Sequence, residues 1–196
     1  MVLLLPPKDV QEATLHEIRG DTFFARKLYD DAIIEYRKAI SIDRYNASAV
    51  NRLGLAYHQT QKVTEAEEQY RQALKIRPEA PTVLLNIGAC LFAMERYDEG
   101  YQVYQRALEL DPRSFDRTSS FGTLIQTTQR NESMLNFYLA KVFAGSGDKD
   151  RAISYLYKAV EEGFKDVQKI RSEPSFSVLA EDERFAKLLE SMTTPG

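Results

Sequence analysis

Histidines, cysteines and paired carboxylates are the side chains from which a catalytic or metal site would be assembled, and here they are few and scattered. His16 and His58 are the only histidines, 42 residues apart. Neither has a companion at metal-ligand spacing, whereas zinc asks for three or four ligands with orienting partners. The single cysteine, Cys90, lies between Gly88 and Leu91 in an apolar stretch, the setting of a packed small residue rather than of a nucleophile. Asp30-Asp31, Glu67-Glu68 and Glu161-Glu162 read as solvated charge on helix ends and faces. No P-loop, dinucleotide GxGxxG or HExxH zinc motif occurs. The expectation is a protein that is not an enzyme, with no metal and no cofactor.

The charge balance narrows the partners. Twenty-six basic against 29 acidic residues leave a net charge of -3, without the basic excess of a nucleic-acid binder, so no nucleic-acid partner is expected. With 43% hydrophobic and 28% charged residues among 196, the chain can bury a continuous core. The apolar start, Met1-Val2-Leu3-Leu4-Leu5-Pro6-Pro7, is far shorter than the roughly 20 residues of a membrane span. It also lacks the basic start and cleavage site of an intact signal peptide. One cysteine permits no internal disulfide, which leans towards a reducing, cytoplasmic setting and leaves a periplasmic or secreted one open.

The elements that must position any functional side chain are set by a repeat. Gly20, Gly54 and Gly88 are spaced by 34, as are Phe23, Tyr57 and Leu91, then Tyr36, Tyr70 and Tyr104, and Ala39, Ala73 and Ala107. Within a unit the apolar residues form two stripes at steps of three and four. In the second unit these are Val50, Leu53, Gly54 and Tyr57, then Ala66, Tyr70, Ala73, Leu74 and Ile76. Each unit is therefore a helix pair. Thr64 and Glu67 have the spacing of a capping box for the second helix, and Pro78 and Pro112 stop their helices. Small residues such as Gly54 and Gly88 are expected to face the alanines of the second helix.

These positions resemble the tetratricopeptide-repeat pattern of Leu-Gly, Tyr, Ala, aromatic, Ala and Pro, best matched by Leu53-Gly54, Tyr57, Ala66, Tyr70, Ala73 and Pro78. The resemblance implies an all-α, right-handed solenoid of antiparallel helix pairs. Three regular units are expected at 13–46, 47–80 and 81–114 after a lead-in of 1–12. A degenerate fourth, 133–166, is recovered by placing Leu139-Ala140, Phe143, Ala152, Leu156 and Ala159 at the repeat positions, which leaves an 18-residue insert at 115–132. The insert reads as extended around Gly122, either a binding element or a linker. Residues 167–196 read as a helical cap, with Phe176, Leu179, Phe185, Leu188 and Leu189 covering the apolar face of the last pair.

What the resemblance implies about function is a protein-interaction scaffold that takes a peptide or helix of a partner in a concave groove. Carried over by register, the groove holds Glu17, Asp21 and Phe24, then Asn51, Leu55, His58 and Gln59, then Leu85, Ala89 and Phe92. Members of the family that hold acidic chaperone tails do so with Lys, Asn and Arg. The corresponding places here carry Glu17, Asp21, Thr82 and Asn86, which favours a partly apolar partner with a basic residue instead. The expected state is a monomer. The alternative is a self-associating module of a larger assembly.

Overall fold

The structure, a computed structural model, describes residues 8–116 and 132–193. Consecutive helices pair antiparallel: α1 (Lys8–Ala25) with α2 (Tyr29–Ile42), α3 (Ala47–Gln59) with α4 (Val63–Ile76), α5 (Pro81–Ala93) with α6 (Tyr97–Leu110), and α7 (Glu132–Gly145) with α8 (Lys149–Glu161). The pairs stack into a solenoid through α2 on α3, α4 on α5 and α6 on α7, the last contact being the smallest of the three. After α8 come α9 (Val167–Ser172), a 3-10 turn at Pro174–Leu179 and α10 (Glu183–Thr193).

Every pair reverses through the same turn. Lys27, Gln61 and Glu95 adopt positive φ of 61°, 62° and 60° at intervals of 34 residues. Gly147 does so at 81°, 52 residues after Glu95, which is 34 plus an insertion of 18. The amide of the following residue then closes on the helix just ended: Leu28 on Phe23 at 2.9 Å, Lys62 on Tyr57 at 2.9 Å, Arg96 on Leu91 at 2.8 Å and Asp148 on Phe143 at 2.9 Å. This Schellman closure satisfies carbonyls that a helix end leaves unpaired.

That closure displaces one expectation. Lys62 becomes the residue flanking α4, with no side-chain cap, so Thr64 lies inside the helix and forms no capping box with Glu67. Glu67 is buried instead, bound by Arg71 at 2.6 Å and by Arg96 at 2.9 Å, so it is not solvated charge. The repeat glycines face tyrosines rather than alanines. A methyl group on Gly20, Gly54 or Gly88 would sit 2.1–2.6 Å from the nearest ring atom of Tyr36, Tyr70 or Tyr104. Helix α1 already runs through residues 8–12, ahead of the expected unit start at Ala13, since no breaker stands between Pro7 and Gly20. Most of the stretch 115–132, including the segment around Gly122, lies outside the described residues. At its edges, Phe115 sits in a 3-10 turn (Ser114–Asp116), packed edge-on at 5.2 Å from both Tyr104 and Phe143, and Glu132 already opens α7.

The core divides into two clusters, and the division runs through α5. Val83, Ile87, Cys90 and Leu91 join the cluster of α2, α3 and α4, while Leu84, Leu85 and Phe92 join that of α6, α7, α8 and the C-terminal elements. Phe176, Leu179, Phe185 and Leu188 are all buried in the second cluster, with Leu189 packed against it. Phe137 anchors them, stacked at 4.6 Å on Phe164 and edge-on at 5.8 Å to Phe176.

Candidate functional site

Of the inner helices α1, α3, α5 and α7, the first three carry the residues expected to line a groove. Glu17 and Asp21, one turn apart on α1, both reach Arg52 of α3: Glu17 at 3.0 Å, and Asp21 in a still closer pair. Glu17 also accepts hydrogen bonds from Asn46 at 2.8 Å and Ser48 at 2.7 Å, and Asp21 accepts one from the Tyr36 hydroxyl at 2.9 Å. Burial pushes the Asp21 carboxyl above its usual range despite Tyr36 and Arg52, which pull the other way. With side chains 13%, 24% and 25% exposed, Glu17, Asp21 and Arg52 form a stitch between two units whose outer edge still meets solvent.

The other expected residues separate into two sets. Phe24, edge-on to Tyr29 at 5.3 Å, Asn51 and Gln59 are half-buried and reach the surface. Leu55, His58, Leu85, Ala89 and Phe92 do not: all five are buried. Helix α5 is enclosed on every side from Val83 to Phe92. Its Phe92 ring is 5.1 Å from Tyr104 and 5.9 Å from Tyr138, so α6 and α7 close over the face that register assigned to a ligand. Asn86, fully buried, donates to the Asn51 side chain at 3.0 Å. The cause is legible in Pro81–Ala93, which reads PTVLLNIGACLFA and is apolar nearly all round. A helix of that kind is a buried one.

At α7 the inner face is taken up by the chain's own C-terminal segment. Lys141 pairs with Glu173 at 3.0 Å, both side chains mostly buried, and lies 4.6 Å and 4.9 Å from the rings of Tyr101 and Tyr138. Among the described residues α5 is thus the inner helix buried from Val83 to Phe92, whereas α7 keeps Asn136 and Lys141 half-buried, with Lys141 engaged by Glu173. A separate cleft of about 540 Å³ opens between α6 and the α7–α8 turn, lined in part by Leu108, Pro112, Val142 and Arg151. Its guanidinium is already engaged by Asp148 and Asp116.

The one histidine–cysteine approach, 3.7 Å between His58 Nδ1 and Cys90 Sγ, has the wrong surroundings for a nucleophile. Burial pushes the thiol up to about 12 and the imidazole down, so both stay neutral and no thiolate forms at ordinary pH. Among the described residues no group of three or more His, Cys, Asp or Glu could hold a metal ion. Nor is any described helix long and apolar enough to cross a membrane.

Comparison with known families matches residues 20–61 to a TPR repeat and residues 42–81 and 51–115 to a tetratricopeptide repeat. The chain is a tetratricopeptide-repeat protein. No functionally curated protein matches it. Among solved structures it is similar to the first TPR of Spaghetti (RPAP3) bound to an HSP90 peptide. That likeness has 29% identity and a TM-score of 0.53, over 55% of this chain and 85% of the other. Two more distant structures extend over nearly the whole length and show the fold alone. They are MamA (16% identity, TM-score 0.55, 93% of this chain and 90% of that one) and YrrB, described as a TPR protein with an unusual peptide-binding site (17%, 0.53, 90% and 82%).

Within this tetratricopeptide-repeat protein, sequence reasoning missed the charged stitches between units. Arg52 lies 31 residues after Asp21, and Arg96 lies 29 after Glu67 and binds both it and Glu99. Opposite charges offset by slightly less than one period were the available signal. The same period exposes an asymmetry among the repeat tyrosines. Asp21 accepts from Tyr36, but its counterparts one and two periods on are Leu55 and Ala89, and the buried hydroxyls of Tyr70 and Tyr104 have no partner among the described residues. Tyr36→Phe is therefore expected to cost about 1–2 kcal/mol, whereas Tyr70→Phe and Tyr104→Phe should be neutral or slightly stabilising. Urea denaturation of the three variants measures this, and equal losses in all three would refute it.

Proposed function

We propose that this tetratricopeptide-repeat protein is an interaction module that binds an extended peptide segment of a partner protein along the inner surface of α1 and α3. The observation that carries the reading is the contrast along the inner helices. Phe24, Asn51, Gln59 and the outer edge of the Glu17–Asp21–Arg52 stitch reach solvent, while α5 is buried from Val83 to Phe92 and Lys141 of α7 is engaged by Glu173 of the chain's own C-terminal segment. Solved tetratricopeptide structures in complex with HSP90 and Hsp70 peptides support a peptide as the ligand class.

The chemistry of the surface sets the kind of segment. Two carboxylates against one guanidinium leave a net negative charge beside the Phe24 ring. A peptide with a basic side chain next to an apolar one fits this. An acidic tail does not, because Glu17 and Asp21 stand where donors would be needed and Asn86 is buried against Asn51. Peptides selected from a random display library on the native protein are expected to be enriched in Lys or Arg flanked by apolar residues. Phe24→Ala with Gln59→Ala should then weaken the selected peptides by about tenfold, equivalent to roughly 1.4 kcal/mol. Selection of acidic sequences, or undiminished binding by the double variant, would overturn the assignment.

A further inference from the structure

The large exposed apolar side chains of the described chain, Val10, Leu15, Ile18, Leu28, Ile34 and Tyr45, all fall between residues 10 and 45, within or just after the first helix pair. On α1, Leu15 and Ile18 share one stripe with Thr22, exposed by 47% and 56%. Their counterparts one period later explain why that stripe is there. Ala49 is fully buried where α3 stacks on α2, and Arg52 reaches back to Glu17 and Asp21 of the preceding unit. Leu15 and Ile18 thus occupy the stacking face of a unit that has no preceding unit in the described chain.

The opposite end of the solenoid offers no such face, because Phe176, Leu179, Phe185 and Leu188 are buried over α7 and α8. Within the described residues the two ends of the stack are therefore not complementary, so a second copy is matched open face to open face about a two-fold axis rather than head to tail. The charges on α1 are arranged for that operation. Glu12 and Arg19, both exposed, flank the stripe on the same side, three residues before and four after Leu15. When two copies of α1 cross antiparallel at Leu15, each Glu12 comes opposite the partner's Arg19, and the attraction is made twice.

We infer that α1 is a homodimerisation surface, in which Leu15 and Ile18 of two copies pack across a two-fold axis with reciprocal Glu12–Arg19 pairs. Helix α1 has 18 residues, about 27 Å of length, so the contact lies at the small end of specific interfaces and the dimer is a weak, reversible one. The surface is separate from the inner face of α1 and α3, so the peptide-binding reading and this one stand or fall separately.

Sedimentation equilibrium of the full chain from about 1 to 500 µM tests the inference. The native protein is expected to pass from monomer to dimer within that range, and Leu15→Asp to shift that transition at least about tenfold upward in concentration. Because Leu15 is exposed, circular dichroism at low concentration should show the variant folded as the native chain is. Glu12→Arg should weaken the dimer, and Glu12→Arg with Arg19→Glu should restore it, an outcome that a nonspecific apolar contact would not give. A native chain monomeric at 500 µM overturns the inference, as does a dimer indifferent to Leu15→Asp. So does a chain that dimerises only after removal of residues 1–7, since the face would then belong to the chain's own leading residues.

Discussion

Replacing Gly88 with valine is expected to lower stability by about 3 kcal/mol, or roughly 6–12 °C in melting temperature for a chain of this size. Even the first carbon added there would lie 2.1 Å from Tyr104 Cε1 and 2.4 Å from Cδ1. The ring cannot swing aside, because Tyr104 is wholly buried between Phe92 at 5.1 Å and Phe115 at 5.2 Å. Gly145→Ala is the matched control: it too lies on an inner helix, but its new carbon would meet nothing nearer than Gln105 Nε2 at 3.5 Å, an ordinary contact. It should be neutral or slightly stabilising, since alanine is the better helix former. Thermal denaturation of both variants checks the contrast. Tyr104→Leu in the Gly88→Val background should recover part of the loss, and strictly additive losses would show that the close approach to Tyr104 is not the cause.

Ending the chain after Glu173 is expected to be more damaging still. It deletes Phe176, Leu179, Phe185 and Leu188, all buried against α7 and α8. Burial of each such side chain contributes about 1.5–3 kcal/mol before the cost of ordering it. The sum is comparable with the whole stability of a typical domain, about 5–15 kcal/mol. Phe137, stacked on Phe164 and edge-on to Phe176, would lose one neighbour and face solvent, and Lys141 would sit at the new chain end beside Glu173. The truncated chain should aggregate or lose the cooperative unfolding of its second half while the cluster of α2, α3 and α4 survives. Phe176→Ala, a milder version, should cost about 3–5 kcal/mol. A truncated chain that stays monomeric, with the melting profile of the full one, would show that the C-terminal elements are an appendage rather than a cap.

The 34-residue period carried the helix pairs, the packing tyrosines and the displaced fourth unit, because each depends on side chains that recur at fixed spacing and meet their neighbours locally. Gly147 takes up a positive φ as Lys27, Gln61 and Glu95 do, 52 residues after Glu95 where the regular spacing is 34. The inner surface was less legible. Register says which side of a helix points inward but not whether that side stays open. The openness of α5 depended on α6 and α7 packing Tyr104 and Tyr138 against Phe92, contacts up to 46 residues apart in the chain. Register alone makes Glu17 and Asp21 ligand-facing charge, because Arg52 carries no repeat signature, its counterpart one period earlier being Ile18.

The sharing of α5 between two clusters has a consequence during synthesis. The buried members of the cluster of α2, α3 and α4 are all made once Leu91 is, but Phe92 on the same helix waits for Tyr138 of α7, 47 residues after Leu91. At about 5–20 residues per second, that is an interval of roughly 2–9 s. For that long the nascent chain displays a folded front half with an oily flank, the state in which a ribosome-associated chaperone would find most to hold.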